Sequence, residues 1–323
     1  MRVMIPVMAG YGASDGLLTT KEVRLAENLG ARPFPHWAGG ALLSLDAGEG
    51  ESIGISVFGP SGEKQSAFHF ALPGVRYMNI RCYTRADDGT IALGGSMVSQ
   101  EGKSAPFLAM MNGDGSNLKL VRTGNFRAMS LTCATDGSLW AGGYETAEKP
   151  AGREKSTFEE SLQADAGAIR QFDRTGKQTR SRLPQARVAG ILADLIHGET
   201  LFAFVGPELH WYSTKQGHHL KILVNGEFQR ITSSPLPQGE RATGFAVNSK
   251  GEVYACSSGE NTWNLRRLDL ATGAWHSERT IYTADKASLP LRVRLIGAEQ
   301  DTLVSLSADA QFLQFLKRAP IDK

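Results

Sequence analysis

The sequence has little of what the commonest chemistries need. Only three cysteines occur in 323 residues, Cys82, Cys133 and Cys256. The number is odd and none are paired at C-x-x-C spacing, which excludes a zinc ribbon or a thioredoxin-type redox pair. One disulfide is open to them, but their apolar neighbours favour three buried thiols. Net charge is only +2, so bulk charge does not mark a strongly basic nucleic-acid binder. No apolar run approaches the ~18–20 residues of a membrane helix. No H-E-x-x-H, phosphate-binding loop or dinucleotide fingerprint is present. The one adjacent histidine pair, His218 and His219, has side chains that diverge on a strand or turn and reads as solvated surface rather than a metal site.

Glycine, by contrast, is abundant, with 36 residues, as many tight turns between short strands require. The turns recur. Asp88-Gly89-Thr90-Ile91-Ala92-Leu93-Gly94-Gly95 returns as Asp136-Gly137-Ser138-Leu139-Trp140-Ala141-Gly142-Gly143. Weaker copies lie at Gly198–Phe204, Lys250–Ala255 and Gln300–Leu306. Asp-Gly is a hairpin turn signal and the apolar run after it is a strand. A second phrase of strand, glycine turn and strand follows each first one, as in Phe107 to Val121 around Asn112-Gly113-Asp114-Gly115. The first-turn glycines Gly89, Gly137, Gly198 and Gly251 are 48, 61 and 53 residues apart. Each unit is therefore four strands, the period of a propeller blade enlarged by loop insertions.

Units begin near residues 31, 75, 126, 186, 240 and 291, which gives an all-β, six-bladed β-propeller of four-stranded antiparallel blades. The last unit lacks a fourth strand, and Lys21–Leu25 is a strand without a unit. Ring closure by that N-terminal strand removes both open edges. The expected organisation is a flexible N-terminus or signal remnant over 1–20 and a single domain over 21–318. Arg2 and the apolar run Val3–Ala9 favour a secreted or periplasmic protein, with a cytoplasmic one as the alternative.

On the Asp-Gly-x-apolar-x-apolar phrase, the chain resembles six-bladed propellers of the NHL-repeat and related bacterial superfamily. That resemblance implies architecture and little about activity. Within it, gluconolactonase-like members hold calcium on the channel axis with a glutamate, an asparagine and an aspartate. Carried over, the resemblance points to Glu145, Asn261 (or Asn264) and Asp194, oxygen donors suited to calcium. The family's glutamate on the first inner strand has no match here; the first unit offers His36 and Trp37 instead.

An arginine precedes each inner strand: Arg32, Arg76, Arg127, Arg187, Arg241 and Arg292. Ringed around a channel mouth together with Tyr77, His36 and Trp37, they would recognise carboxylates or phosphates. Equally, each would clamp its neighbouring blade, because repeated positions first serve repeat structure. The connection Tyr144–Gly167, with Lys149, Arg153, Glu154, Lys155, Glu159 and Glu160, reads as a solvated insertion or a lid. The expected function is a scaffold that binds a protein or a small anionic ligand, without a cofactor, nucleic acid or membrane span. The alternative is a calcium-dependent hydrolase of the gluconolactonase type.

Overall fold

The computed structural model describes residues 17–30, 35–145, 167–179, 200–205, 208–213, 218–222, 228–232, 234–259, 262–282, 294–307 and 309–318. Among them all regular structure is strand, and β1 (Leu17–Arg24) comes first. Sheet I follows, from β2 (His36–Ala38), β3 (Ala41–Leu45), β5 (Ser52–Phe58) and β6 (Lys64–Ala71), with β4 (Glu49–Gly50) in the loop between β3 and β5. Sheet II holds β7 (Val75–Arg85), β8 (Ile91–Ser99), β9 (Ser104–Met111) and β10 (Lys119–Val121), with β4 added beside β7. Sheet III holds β11 (Phe126–Cys133), β12 (Leu139–Glu145) and β13 (Gly167–Phe172). Sheet IV holds β14 (Thr200–Val205), β15 (Glu208–Ser213), β16 (His218–Ile222) and β17 (Phe228–Thr232). Sheet V holds β18 (Arg241–Val247), β19 (Val253–Ser258), β20 (Thr262–Leu268) and β21 (Trp275–Tyr282). Sheet VI joins β22 (Arg294–Glu299), β23 (Thr302–Leu306) and β24 (Phe312–Arg318) to β1.

Sheets I, II, IV, V and VI are complete blades of four strands or more, while sheet III shows three strands among the described residues. Five complete blades thus stand where six uniform four-stranded blades were expected. The first strands β2, β7, β11, β14, β18 and β22 touch one another in cyclic order, with β22 returning to β2. The sheets therefore stand around one axis with these strands innermost, as in a β-propeller.

Closure by the N-terminal segment is direct. β1 pairs antiparallel with β24 from Leu17↔Arg318 to Arg24↔Phe312. The Gln314 amide donates to Glu22 at 2.9 Å, and the Leu25 N–H donates to the Gln311 carbonyl at 2.8 Å. The paired strand begins at Leu17, four residues before the expected start of the domain.

The recurring turns form as their residues dictate, but not with positive φ at both central positions. In both Asp-Gly copies the glycine alone takes positive φ, Gly89 at +90° and Gly137 at +78°. Their N–H groups donate back to Ala86 and Ala134 at 3.0 and 2.9 Å. The preceding Asp88 and Asp136 side chains accept from the N–H groups of Thr90 and Ser138 at 2.9 and 2.8 Å. This is the three-residue hairpin loop ending in a left-handed glycine.

Apolar side chains pack between successive sheets rather than into one central core. Met78, Ile80 and Tyr83 of sheet II join Ile53, Ile55 and Phe70 of sheet I. Cys82 and Leu108 of sheet II join Phe126, Ala128 and Ala141 of sheet III. Cys82 and Cys256 are buried and all three cysteines are free thiols. Desolvation pushes each thiol up, that of Cys133 to about 12, so none is a ready nucleophile.

Candidate functional site

The innermost strands carry a shared irregularity that fixes which residues are equivalent. In four of them the register shifts by one residue, at Arg81 in β7, Met129 in β11, Thr243 in β18 and Ile296 in β22. A bulge leaves one residue unpaired and bends the strand. In sheets II and III it lies opposite Gly94-Gly95 and Gly142-Gly143. A Cβ on Gly95 or Gly143 would enter the carbonyl oxygen of Asn79 or Arg127, which explains why the sequence phrase ends in glycine.

Two residues before each bulge stand Asn79, Arg127, Arg241 and Arg294. Their partners across the ladder are Ser96, Tyr144, Ser258 and Leu306. Arg127 and Arg241 are thus equivalent, as the sequence suggested. Arg76 is not. It lies three residues before Asn79, at a second irregularity between Val75 and Tyr77, and is exposed. The sequence reading also chose Arg292, which lies outside the described residues with Arg32 and Arg187, whereas Arg294 holds the equivalent place. A detectable signal existed: Arg127-Ala-Met-Ser130, Arg241-Ala-Thr-Gly244 and Arg294-Leu-Ile-Gly297 share an Arg-x-x-small pattern, as does Arg187-Val-Ala-Gly190. Phe126 and Ala128 pack toward sheet II, so alternation turns Arg127 toward sheet IV. Arg127 is half-buried, and its Nε has no hydrogen-bond partner.

His36 and Trp37 sit on β2 beside the turn to β3 and pack in opposite directions between sheets. His36 meets Tyr83 edge-on at 6.1 Å, and desolvation pushes its imidazole down to about 4. Trp37 is 3% exposed and meets Phe315 of sheet VI edge-on at 5.8 Å. The apolar bodies of the two rings explain the difference: they fill gaps that short β2 leaves between neighbours.

Tyr77 is 38% exposed. The neighbouring Glu49 carboxylate leads the causes that raise the pKa of its hydroxyl. Glu49 arrives on β4, which pairs Glu49↔Asn79 and Gly50↔Met78.

Arginines on the third strands bond to groups of their own sheets. Arg266 lies opposite Ala255 and Arg170 opposite Ala141, equivalent positions in sheets V and III. Arg266 Nε donates to Glu240 at 2.7 Å, and its Nη2 bonds the other carboxylate oxygen. Ser257 and Asn264 also donate to Glu240, Asn264 at 3.2 Å. Burial pushes the Glu240 carboxyl up, but the bonds from Arg266 and Ser257 outweigh it and hold it below its usual range. Arg170 donates to the Thr123 carbonyl at 2.7 Å, pairs with Glu145, and stacks over Phe126 with its guanidinium 4.6 Å from the ring centroid.

These bonds bear on the calcium set. Glu145 is engaged by Arg170, Asn264 serves Glu240, and Asp194 and Asn261 lie outside the described residues. Among the described residues no group of three or more His, Cys, Asp or Glu side chains is placed to hold a metal ion. Two of the three donors thus lie outside the described residues, and the third, Glu145, is held by Arg170. Gly12-Ala-Ser14-Asp-Gly16 has the letters of a nucleophile elbow, but strand β1 follows it where that motif requires a helix. The residues 146–166 of the long connection lie outside those described.

No family model matches the chain, and no curated protein matches it. Solved structures do. Virginiamycin B lyase from Staphylococcus aureus is 12% identical over 92% of this chain and 98% of that one, with a TM-score of 0.45. Regucalcin from Agrobacterium tumefaciens, described as a calcium-binding protein, is 15% identical over 94% and 95%, with a TM-score of 0.47. A glucose dehydrogenase is 12% identical over 93% and 99%, with a TM-score of 0.49. Their named activities differ from one another, and none of these likenesses assigns one to this chain.

Proposed function

We propose that this chain is a ligand-binding β-propeller that takes a small anion at its channel mouth and performs no covalent chemistry on it. One observation carries the reading: the bulges set Arg127, Arg241 and Arg294 at the same station of three inner strands around one axis. Cations repeated around a low-dielectric mouth add their fields and draw anions in. The Nε of Arg127 has no hydrogen-bond partner, which leaves this station open to a ligand. Binding of inorganic phosphate or citrate, followed by calorimetry, is expected to weaken with added salt. It should weaken further in the double variant Arg127→Ala plus Arg241→Ala. Parental binding in that variant, with lower stability, would instead make these residues structural. Lactone turnover abolished by chelation and by Glu145→Gln would overturn the reading in favour of a calcium-dependent hydrolase.

The reading includes six blades in a single domain reaching residue 318. Sheet III supports this: the Gln171 carbonyl accepts from Thr179 at 3.1 Å and Phe172 bridges Gln178, so the chain turns back as a fourth strand would. Export remains the proposed destination on the strength of Arg2 and Val3–Ala9, and cell fractionation tests it.

A further inference from the structure

We infer that the channel-side edge of β7 is a binding site for a zwitterionic ligand, one that carries an ammonium group and a carboxylate on a short chain. Glu49 takes the ammonium and Arg81 the carboxylate. This site uses other residues than the arginine station of the inner strands, so the two readings fail separately.

β7 is the innermost strand of sheet II, and β8 occupies its outer side. β4 pairs with the opposite edge, which in a propeller faces the axis. The loop of sheet I thereby delivers a carboxylate into the mouth. Glu49 lies directly across from Asn79, whose amide donates to it at 3.3 Å. Tyr77 lies two residues away on the same face, and the same carboxylate raises the pKa of its hydroxyl. A carboxylate offers about four acceptor positions, and Glu49 is exposed. Acceptor capacity is left for a ligand.

Arg81 is the bulge residue of β7. Bulges re-aim a side chain out of the regular alternation. The Arg81 side chain is exposed, although Ile80 before it is buried against sheet I and Cys82 after it against sheet III. The corresponding Ile296 in sheet VI is buried. Met129, Thr243 and Ile296 hold this station in the other sheets and are uncharged, so Arg81 is its one charged member, and among the described residues no carboxylate pairs with it. Glu49 and Arg81 do not neutralise each other, yet both act on the Tyr77 hydroxyl. Asn79 and Arg81 are two residues apart, roughly 7 Å along a strand. A phenol, an amide and a guanidinium thus follow one another along β7, with the Glu49 carboxylate across from the amide.

The test compares 4-aminobutanoate with butanoate and butylammonium, each carrying one of its two charges, by calorimetry on the full chain. The parent is expected to bind 4-aminobutanoate at least about fivefold more tightly than either control, the scale of one exposed ion pair. Glu49→Gln should remove the advantage over butanoate, and Arg81→Gln the advantage over butylammonium. Both substitutions are at exposed positions, and unchanged thermal transitions will show that each variant folds. Glycine and 6-aminohexanoate, shorter and longer, should bind less well than 4-aminobutanoate. Equal binding of all probes, no binding of any, or an advantage that survives both substitutions would overturn the inference. Phosphate binding that depends on Arg127 and Arg241 would stand in each of those cases.

Discussion

Sheets III and V solve one problem in two ways. Each has an arginine on its third strand, Arg170 or Arg266, aimed at the entrance of its inner strand. In sheet V the residue before Arg241 is Glu240, which holds Arg266 by both carboxylate oxygens. In sheet III the residue before Arg127 is Phe126, and Arg170 lies over its ring. The acid has moved across the ladder to Glu145, opposite Phe126. The side chains of Arg266 and Glu240 are 15% and 10% exposed, whereas Glu145 is 48% exposed. The same guanidinium slot thus accepts a buried carboxylate, or an aromatic face with a solvated carboxylate beside it. Burial decides what each arrangement is worth: a buried charge left alone is costly, and an exposed one is not.

Four measurements press on that contrast. Phe126 is fully buried, so Phe126→Ala should cost about 4 kcal/mol by denaturant unfolding, through a cavity and a lost arginine platform. A cost under about 1 kcal/mol would mean that the ring is not the support of Arg170. Glu240→Ala should cost about 3 kcal/mol, because Arg266 keeps its charge in a nearly closed site while Ser257 and Asn264 lose their acceptor. A third effect is pH-dependent. The Glu240 carboxyl is held below its ordinary value in the folded chain. Its contribution is thus present above the unfolded pKa and is lost as pH falls through the folded one. Glu240→Gln should flatten the fall in urea midpoint below about pH 4.5; a parental acid slope in that variant would place the acid sensitivity elsewhere. Smallest is Glu145→Gln, expected to cost under about 1 kcal/mol since its carboxylate is half in water. A loss matching that of Glu240→Ala would erase the distinction between the two sheets.

How much of this was legible in the sequence follows from local rules. The Asp-Gly turns, the strands after them and the closing strand are short-range signals, and they led to the right class of fold. The arginine stations required counting along strands from unit starts, and a bulge defeats counting. One unpaired residue exchanges the faces of everything beyond it, so Arg76 was grouped with Arg127 and Arg294 was passed over. β4 is two residues long and lies within a loop, without periodicity to betray it; Glu49 was therefore missed. Arg170 and Arg266 show no repeat spacing to Glu145 and Glu240 because the acid changes strands. His36 and Trp37 carry polar atoms that read as functional, while their ring bodies decided their place.

The pairing of β1 with β24 also sets a timetable. Glu22 and Gln314 are 292 residues apart in the chain. At about 5–20 residues per second, synthesis leaves β1 without its partner for roughly 15–60 s. Throughout that time its hydrogen-bonding edges are open to other chains. Sheets I to V can pair from neighbouring segments as they emerge, whereas the ring waits for the last strand. Closing so long a loop adds to the entropy that must be overcome before the contact rewards it. The last seam to form is therefore the natural point at which a newborn chain associates with another copy, and a supply of free β1 peptide during refolding should compete for β24 and slow closure.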